Sequence, residues 1–160
     1  MSEPFVVNVA HAPAMSFPGS GVFAAFEDPM EPFPDFGINI HVLQPGEPNA
    51  MYHVENVQED FLVLGGRCTL ILNGEESQLG QWDFFHCPAG TEHVFIGAGD
   101  GPCWILMVGA RGPGARAHYP VNETAAKYGA SARESTADSR EAYADRPSQP
   151  ESARLPWPPV

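Results

Sequence analysis

Pro88-Ala89-Gly90-Thr91-Glu92-His93 is the stretch on which the reading of this chain turns. Pro and Gly break regular structure, and the residues that follow, His93-Val94-Phe95-Ile96, are an apolar, β-favouring run. His93 therefore stands at the edge of a strand. A second stretch, Tyr52-His53-Val54-Glu55-Asn56-Val57-Gln58-Glu59, supplies another imidazole and two carboxylates, again at strand or strand edge. Side chains this far apart in sequence meet only if a compact β fold brings them together.

The segments between and around them read as short strands. Gly37-Ile38-Asn39-Ile40-His41-Val42-Leu43 alternates and ends at the turn signal Pro45-Gly46. Phe61 to Leu64 stops at Gly65-Gly66, and Cys68 to Leu72 runs into Asn73-Gly74, a strong hairpin signal. Ser77 to Leu79, Trp82 to His86 and Cys103 to Val108 complete the set. Short strands at this spacing, without an amphipathic helix between them, predict an all-β sandwich or barrel over residues 36–110.

The two ends differ from this centre. Residues 1–35 read as an arm in which Phe5 to Val9 forms a short strand and Pro13, Pro18, Pro29, Pro32 and Pro34 forbid long elements. Its phenylalanines call for a surface, either the body of the chain or a partner subunit. Together with the tail and the outward-facing Leu62 and Leu64, they predict a homodimer. Residues 111–160 read as an extension with short helices over Asn122–Tyr128 and Thr136–Ala144. Asp138 is the expected N-cap of the second, with Glu141 completing a capping box. From Pro147 onward the prolines argue against regular structure, leaving a tail that is mobile or lies over a neighbour, with Trp157 as its anchor.

Composition narrows the function classes. At 160 residues and 43% hydrophobic content, one domain with a real core is expected. A formal net charge of −12, with 8 Lys and Arg and no basic run, argues against nucleic acid and anionic membranes as partners. Cys68, Cys87 and Cys103 are an odd set without CxxC spacing, which suits free, buried thiols in a reducing cytoplasm. The start, Met1-Ser2-Glu3-Pro4, has no cationic leader and predicts no secretory signal.

The central zone resembles the cupin superfamily, small jelly-roll barrels that often hold a metal. The first cupin motif is carried here by Gly46, His53-Val54-Glu55, Glu59 and Gly66, and the second by Trp82, Pro88 to His93 and Gly97. Three positions depart from the usual pattern: Glu55 replaces a His, Trp82 a Gly, and Gly97 an Asn. Within the superfamily, the run from Tyr52 to Phe61 is similar to the 3-hydroxyanthranilate dioxygenase family, which holds Fe(II) with a His, a Glu six positions on and a distant His. That resemblance implies His53, Glu59 and His93 as metal ligands. The family grips its anionic substrate with arginines near the metal, whereas Asn49 and Gly97 stand where these would be sought. The resemblance thus carries the metal site and not that substrate.

Strand alternation gives the same residues a chemistry. Met51, His53 and Glu55 share one strand face, and Glu59, Phe61 and Val63 share another. Two imidazoles and one or two carboxylates inside an apolar barrel are costly unless paired or metallated. The expectation is one divalent metal on His53, Glu59 and His93, with Glu55 as a fourth ligand or catalytic base. Fe(II) is favoured, with Zn or Mn as alternatives. A hydrogen-bonded His–Glu pair without metal is the plainer alternative. Met51, Phe61, Val63, Phe95 and Met107 are expected to line an apolar substrate pocket. His41 is read as a satisfied structural histidine or a residue of the pocket mouth. Tyr52, Trp82, Trp104 and Cys87 are assigned to packing, and no arginine is placed beside the metal. The function expected is a non-haem Fe(II) dioxygenase-like enzyme for a small aromatic or apolar substrate. The rivals are a Zn or Mn isomerase or lyase, and a ligand-binding sensor without catalysis.

Overall fold

Apolar alternation decides which side of each strand faces inward, and β6 shows it plainly: Cys68 and Leu70 point one way, Thr69 and Ile71 the other. The computed structural model describes residues 3–28, 30–146 and 149–157. Its strands are β1 (Ala14–Ser16), β2 (Val22–Ala25), β3 (Phe36–Leu43), β4 (His53–Glu55), β5 (Glu59–Gly65), β6 (Arg67–Leu72), β7 (Glu75–Gly80), β8 (Phe84–Cys87), β9 (Glu92–Ala98), β10 (Cys103–Ala110), β11 (Ala117–His118) and β12 (Glu151–Ala153). They form two antiparallel sheets, ordered β12-β1-β2-β3-β10-β5-β8 and β11-β4-β9-β6-β7. This is the jelly-roll architecture expected for the central zone. Asn73 and Gly74, both at positive φ, make the tight turn between β6 and β7.

Three apolar clusters hold the sheets. Leu43, Phe61, Val63, Leu70, Phe95, Ile105 and Met107 fill the space between them, together with all three cysteines, which are free. Tyr52, Ile71, Val94 and Ile96 face outward from the five-stranded sheet and are covered by Ala125 and Ala130, in and just after α1 (Glu123–Ala126). Asn122 caps that helix by accepting from the Ala125 amide. Ile40, Val42 and Trp104 face outward from the seven-stranded sheet and are covered by Ala14 and Ala24 of the arm and Leu155 of the tail. Each large side chain buried this way contributes on the order of 1.5–3 kcal/mol.

Several expectations change here. Phe5 to Val9 is not a strand; a 3-10 turn spans Val9–His11, and β1 and β2 carry the arm onto β3 of the same chain. The tail is not irregular throughout: β12 pairs with β1, and the Trp104 indole donates to the Pro156 carbonyl at 2.8 Å. Much of the apolar surface of the arm and tail that called for a partner is met within the chain. Asp138 caps α2 (Ser139–Ala142) as expected, but the box does not close, because Glu141 accepts from the Thr136 hydroxyl instead. Trp82 is not core. It is 67% exposed at φ 74, in the turn before β8. Gly97 has a steric reason: a Cβ there would lie 2.1 Å from the Gln44 carbonyl oxygen. Among the described residues, no helix is long and apolar enough to cross a membrane.

Candidate metal centre

Strand register builds the centre. His53 on β4 and His93 on β9 are direct antiparallel partners, with ring centroids 4.7 Å apart. Glu59 opens β5 in the opposite sheet and reaches across the barrel, so its Oε2 lies 3.4 Å from His93 Nε2 and 3.9 Å from His53 Nε2. The three ligand-type atoms lie within 4.8 Å of one another.

The outer nitrogens of both rings face backbone carbonyls: His53 Nδ1 sits 2.7 Å from Met51 O, and His93 Nδ1 3.2 Å from Thr91 O. A carbonyl only accepts, so each Nδ1 carries the proton and each Nε2 presents its lone pair inward. That is the arrangement by which second partners orient metal-binding imidazoles. Cys87 Sγ adds a contact at 3.5 Å to His93 Nδ1. Burial raises the Cys87 thiol to about 12 and keeps it protonated, as the reading of an inert thiol expects.

Burial sets the charge states. It pulls His53 below its ordinary value and His93 down to about 4, the second aided by repulsion from His53. It lifts Glu59 to about 8, with help from the neighbouring charge of Glu55. Glu59 Oε2 and His93 Nε2 are buried without a hydrogen-bond partner among the described residues. Orphaned polar atoms of this kind cost about 1–3 kcal/mol each. A cation between them removes that cost, and the N₂O donor set suits Fe(II), Zn or Mn. The residues present therefore fit a divalent metal.

A cavity of about 480 Å³ opens over these groups. Of the residues expected at a pocket, Phe61, Met107 and His41 line it, whereas Met51, Val63 and Phe95 do not and lie buried. In their place stand Asn39, Asn49, Glu55, Tyr119 and Tyr143, so the wall is far more polar than the sequence suggested. Glu55 lines the cavity beside the cluster of three ligand atoms without belonging to it. Burial holds the Tyr119 hydroxyl up at about 12, so it remains a donor. Arg111 and Arg116 also line the cavity, against the expectation of no arginine there. Arg111 is engaged: it binds the Glu27 carboxylate and donates to the Phe33 carbonyl at 2.8 Å. That contact holds Glu27 below the usual carboxylate range. His41 is not a satisfied structural histidine. Among the described residues its Nδ1 is buried without a partner, its ring stacks on Phe23 at 5.3 Å, and burial lowers it to about 4.

Residues 39–109 match the cupin domain family. The chain carries a cupin domain. The folded cupin is similar to a sugar phosphate isomerase from a cupin superfamily of Silicibacter pomeroyi, with 28% identity and a TM-score of 0.55, covering 62% of this chain and 64% of that one. The match thus spans a little under two thirds of the isomerase's length. The cupin also shares its fold with an RmlC-like cupin from Shewanella frigidimarina, at 12% identity and a TM-score of 0.58, covering 71% and 95% of the two chains. A polyketide cyclase from Streptomyces resistomycificus shares it as well, at 18% identity and a TM-score of 0.52, covering 72% and 84%. No curated protein matches the sequence.

Tyr119, Tyr143, Arg111 and Arg116 escaped the sequence reading. They come from beyond or from the end of the central zone, and nothing in their spacing signals that the chain returns to the cavity. Glu55 was legible, because alternation puts it on the face of His53.

Proposed function

We propose that this cupin is a metal-dependent enzyme that moves a proton on a small, oxygen-bearing substrate, as an isomerase or lyase does. His53, Glu59 and His93 hold the metal and Glu55 is the acid–base group. The observation that carries the reading is the pairing of an orphaned His–Glu–His cluster with a separate carboxylate, Glu55, in one polar cavity. When bound, the ion supplies positive charge to a substrate oxygen that becomes anionic. Glu55 takes a proton from the hydroxyl-bearing carbon beside a carbonyl and returns it to the former carbonyl carbon, while the substrate's hydroxyl proton passes to the former carbonyl oxygen. Tyr119, held protonated, donates to a substrate oxygen, and Asn39, whose Oδ1 is without a partner among the described residues, orients a remaining hydroxyl. The similarity to a structure described as a sugar phosphate isomerase supports this choice.

A second reading, the Fe(II) dioxygenase, is favoured by the ligand set itself. Two imidazoles and one carboxylate leave positions open for oxygen and substrate. Its preference for an apolar ring now rests on Phe61 and Met107 alone among the wall residues first expected.

The test uses protein loaded separately with zinc, manganese and iron. Hydroxyaldehydes and hydroxyketones are followed by NMR in deuterated water for exchange at the carbon beside the carbonyl. Exchange that needs metal and is lost in Glu55→Gln is the expected result. Oxygen uptake confined to the iron form, with Glu55→Gln fully active, replaces the proposal with the dioxygenase. Ligand-dependent stabilisation without turnover replaces it with a sensor.

A further inference from the structure

A second cavity, of about 560 Å³, adjoins the first and shares His41, Asn49 and Tyr143 with it. It is closed by two segments distant in sequence: the arm, through Phe17, Ser20 and Phe23, and the extension, through Tyr143 and Arg146. Its lining differs from that of the metal cavity, where two carboxylates stand beside two arginines. Glu55 and Glu59 line the first, whereas among the described residues no carboxylate lines the second.

Arg146 is the centre of it. The guanidinium is held by the Ser20 hydroxyl, by the Gly129 carbonyl at 2.9 Å and by the face of Tyr143 at 5.9 Å. Among the described residues, no carboxylate lies within ion-pair distance of it, although the chain carries a net charge of −12. Two of its N–H donors are used in these bonds, and the others make no hydrogen bond among the described residues. A fork fixed on three sides and left without a counter-ion is preorganised for a planar or tetrahedral oxyanion. Arg140, also on the rim, is spent on Asp138.

Between Arg146 and the metal cavity runs an aromatic wall. Phe17 stacks on Phe23 with centroids 5.8 Å apart, and Phe23 stacks on His41. His41, whose Nδ1 is buried and without a partner among the described residues, lines both cavities and offers a polar contact at their junction.

We propose that the second cavity is a subsite for the far end of the substrate: an apolar or ring segment lies along Phe17 and Phe23, and a terminal carboxylate or phosphate binds Arg146. An anionic end is accommodated here although the chain carries a net charge of −12, because among the described residues no carboxylate lines this wall. The proposal rests on the metal-centre reading only in making the occupant a substrate; the anion site itself stands without metal.

The probes are phenyl phosphate, benzoate and benzyl alcohol, with binding followed by ligand-observed NMR and calorimetry on metal-loaded protein. At least one anion binds more tightly than benzyl alcohol, and the tighter of the two tells a phosphate ester from a carboxylate. Arg146→Gln weakens the anion by roughly tenfold or more while keeping the full metal content. His93→Ala loses metal and keeps anion binding, which separates failure of this subsite from failure of the metal centre. If Arg146→Gln does not fold, Arg146→Lys and competition by inorganic phosphate on the unmodified chain take its place. Lysine keeps the charge without the fork, so intermediate affinity is expected, and inorganic phosphate displaces phenyl phosphate. Wild-type protein that binds both anions no better than benzyl alcohol, or an Arg146→Gln variant that binds them unchanged, overturns the proposal.

Discussion

The two adjoining cavities are made from different kinds of sequence. The metal cavity takes its chemistry from β4, β5 and β9, whose neighbours in space are fixed by local alternation and antiparallel register. The Arg146 cavity is assembled from the arm and the extension, segments 126 residues apart where Ser20 meets Arg146. The first gathers carboxylates and buried imidazoles, and the second sets a guanidinium without a carboxylate among aromatic rings. A small barrel can thus place one side-chain cluster by strand register and build a second cavity from the chain ends that close over it.

The largest effect that sharpens the contrast is loss of metal. His93→Ala and Glu59→Ala each remove one of three donors, so affinity falls by more than about 100-fold, beyond the effect of changing an outer partner. Elemental analysis after dialysis checks this, with Arg146→Gln as the variant that stays stoichiometric. Metal retained in full by both ligand variants breaks the distinction between the cavities.

The chain ends come next. Leu155 is 7% exposed in the cluster that seals the outer face of the seven-stranded sheet. Leu155→Ala should cost about 2–4 kcal/mol in urea unfolding, without changing metal content. A loss under about 0.5 kcal/mol, the size typical of surface positions, would mean that the tail does not hold the sheet.

What could be read from residues alone follows the same division. The eight central strands were legible because apolar alternation and Asn73-Gly74 act within a few residues, and the convergence of His53, Glu59 and His93 because motif spacing fixes register. The arm strands and β12 were not legible: they are three or four residues long and exist only because β3 offers an unpaired edge onto which they add. The pocket wall was misread for a related reason. Alternation says that Val63 and Phe95 point inward, and they do, but depth along the barrel decides whether an inward side chain meets cavity or core.

Titration probes the metal cavity without mutation. Folded Glu59 keeps its proton up to about 8, while the unfolded chain releases it near 4.5, so metal-free protein loses stability as pH rises through that window. His93, drawn from 6.5 to about 4, acts in the opposite sense at lower pH, and His53 shifts the same way. The effects offset below about 6.5, leaving a net loss of about 2 kcal/mol between roughly pH 6.5 and 8. Bound metal keeps Glu59 ionised and should flatten this slope, and Glu59→Gln should abolish it. Denaturant unfolding across that range, with and without zinc, is the measurement. Equal slopes in both forms would place the raised group elsewhere.

The smallest effect concerns a turn of the barrel that departs from expectation. Trp82 occupies the motif position usually held by Gly, and it sits at φ 74, a conformation that costs a non-glycine residue about 1–2 kcal/mol. Its side chain is mostly exposed and offsets little of that cost through burial. Its amide donates to the Val63 carbonyl at 2.8 Å, which fixes the turn between β7 and β8 and holds the backbone where it is. Glycine keeps that bond and removes the strain, but gives back part of the gain through the greater freedom of the unfolded chain. Trp82→Gly should therefore raise stability by a net of about 0.5–1 kcal/mol, with metal content and anion binding unchanged, whereas Trp82→Ala removes the exposed ring, keeps the strained backbone and should lie within about 0.5 kcal/mol of the parent. A drop of more than about 1 kcal/mol in Trp82→Gly would show that the indole is packed against something, and a matching drop in Trp82→Ala would assign that loss to the ring and not to the turn.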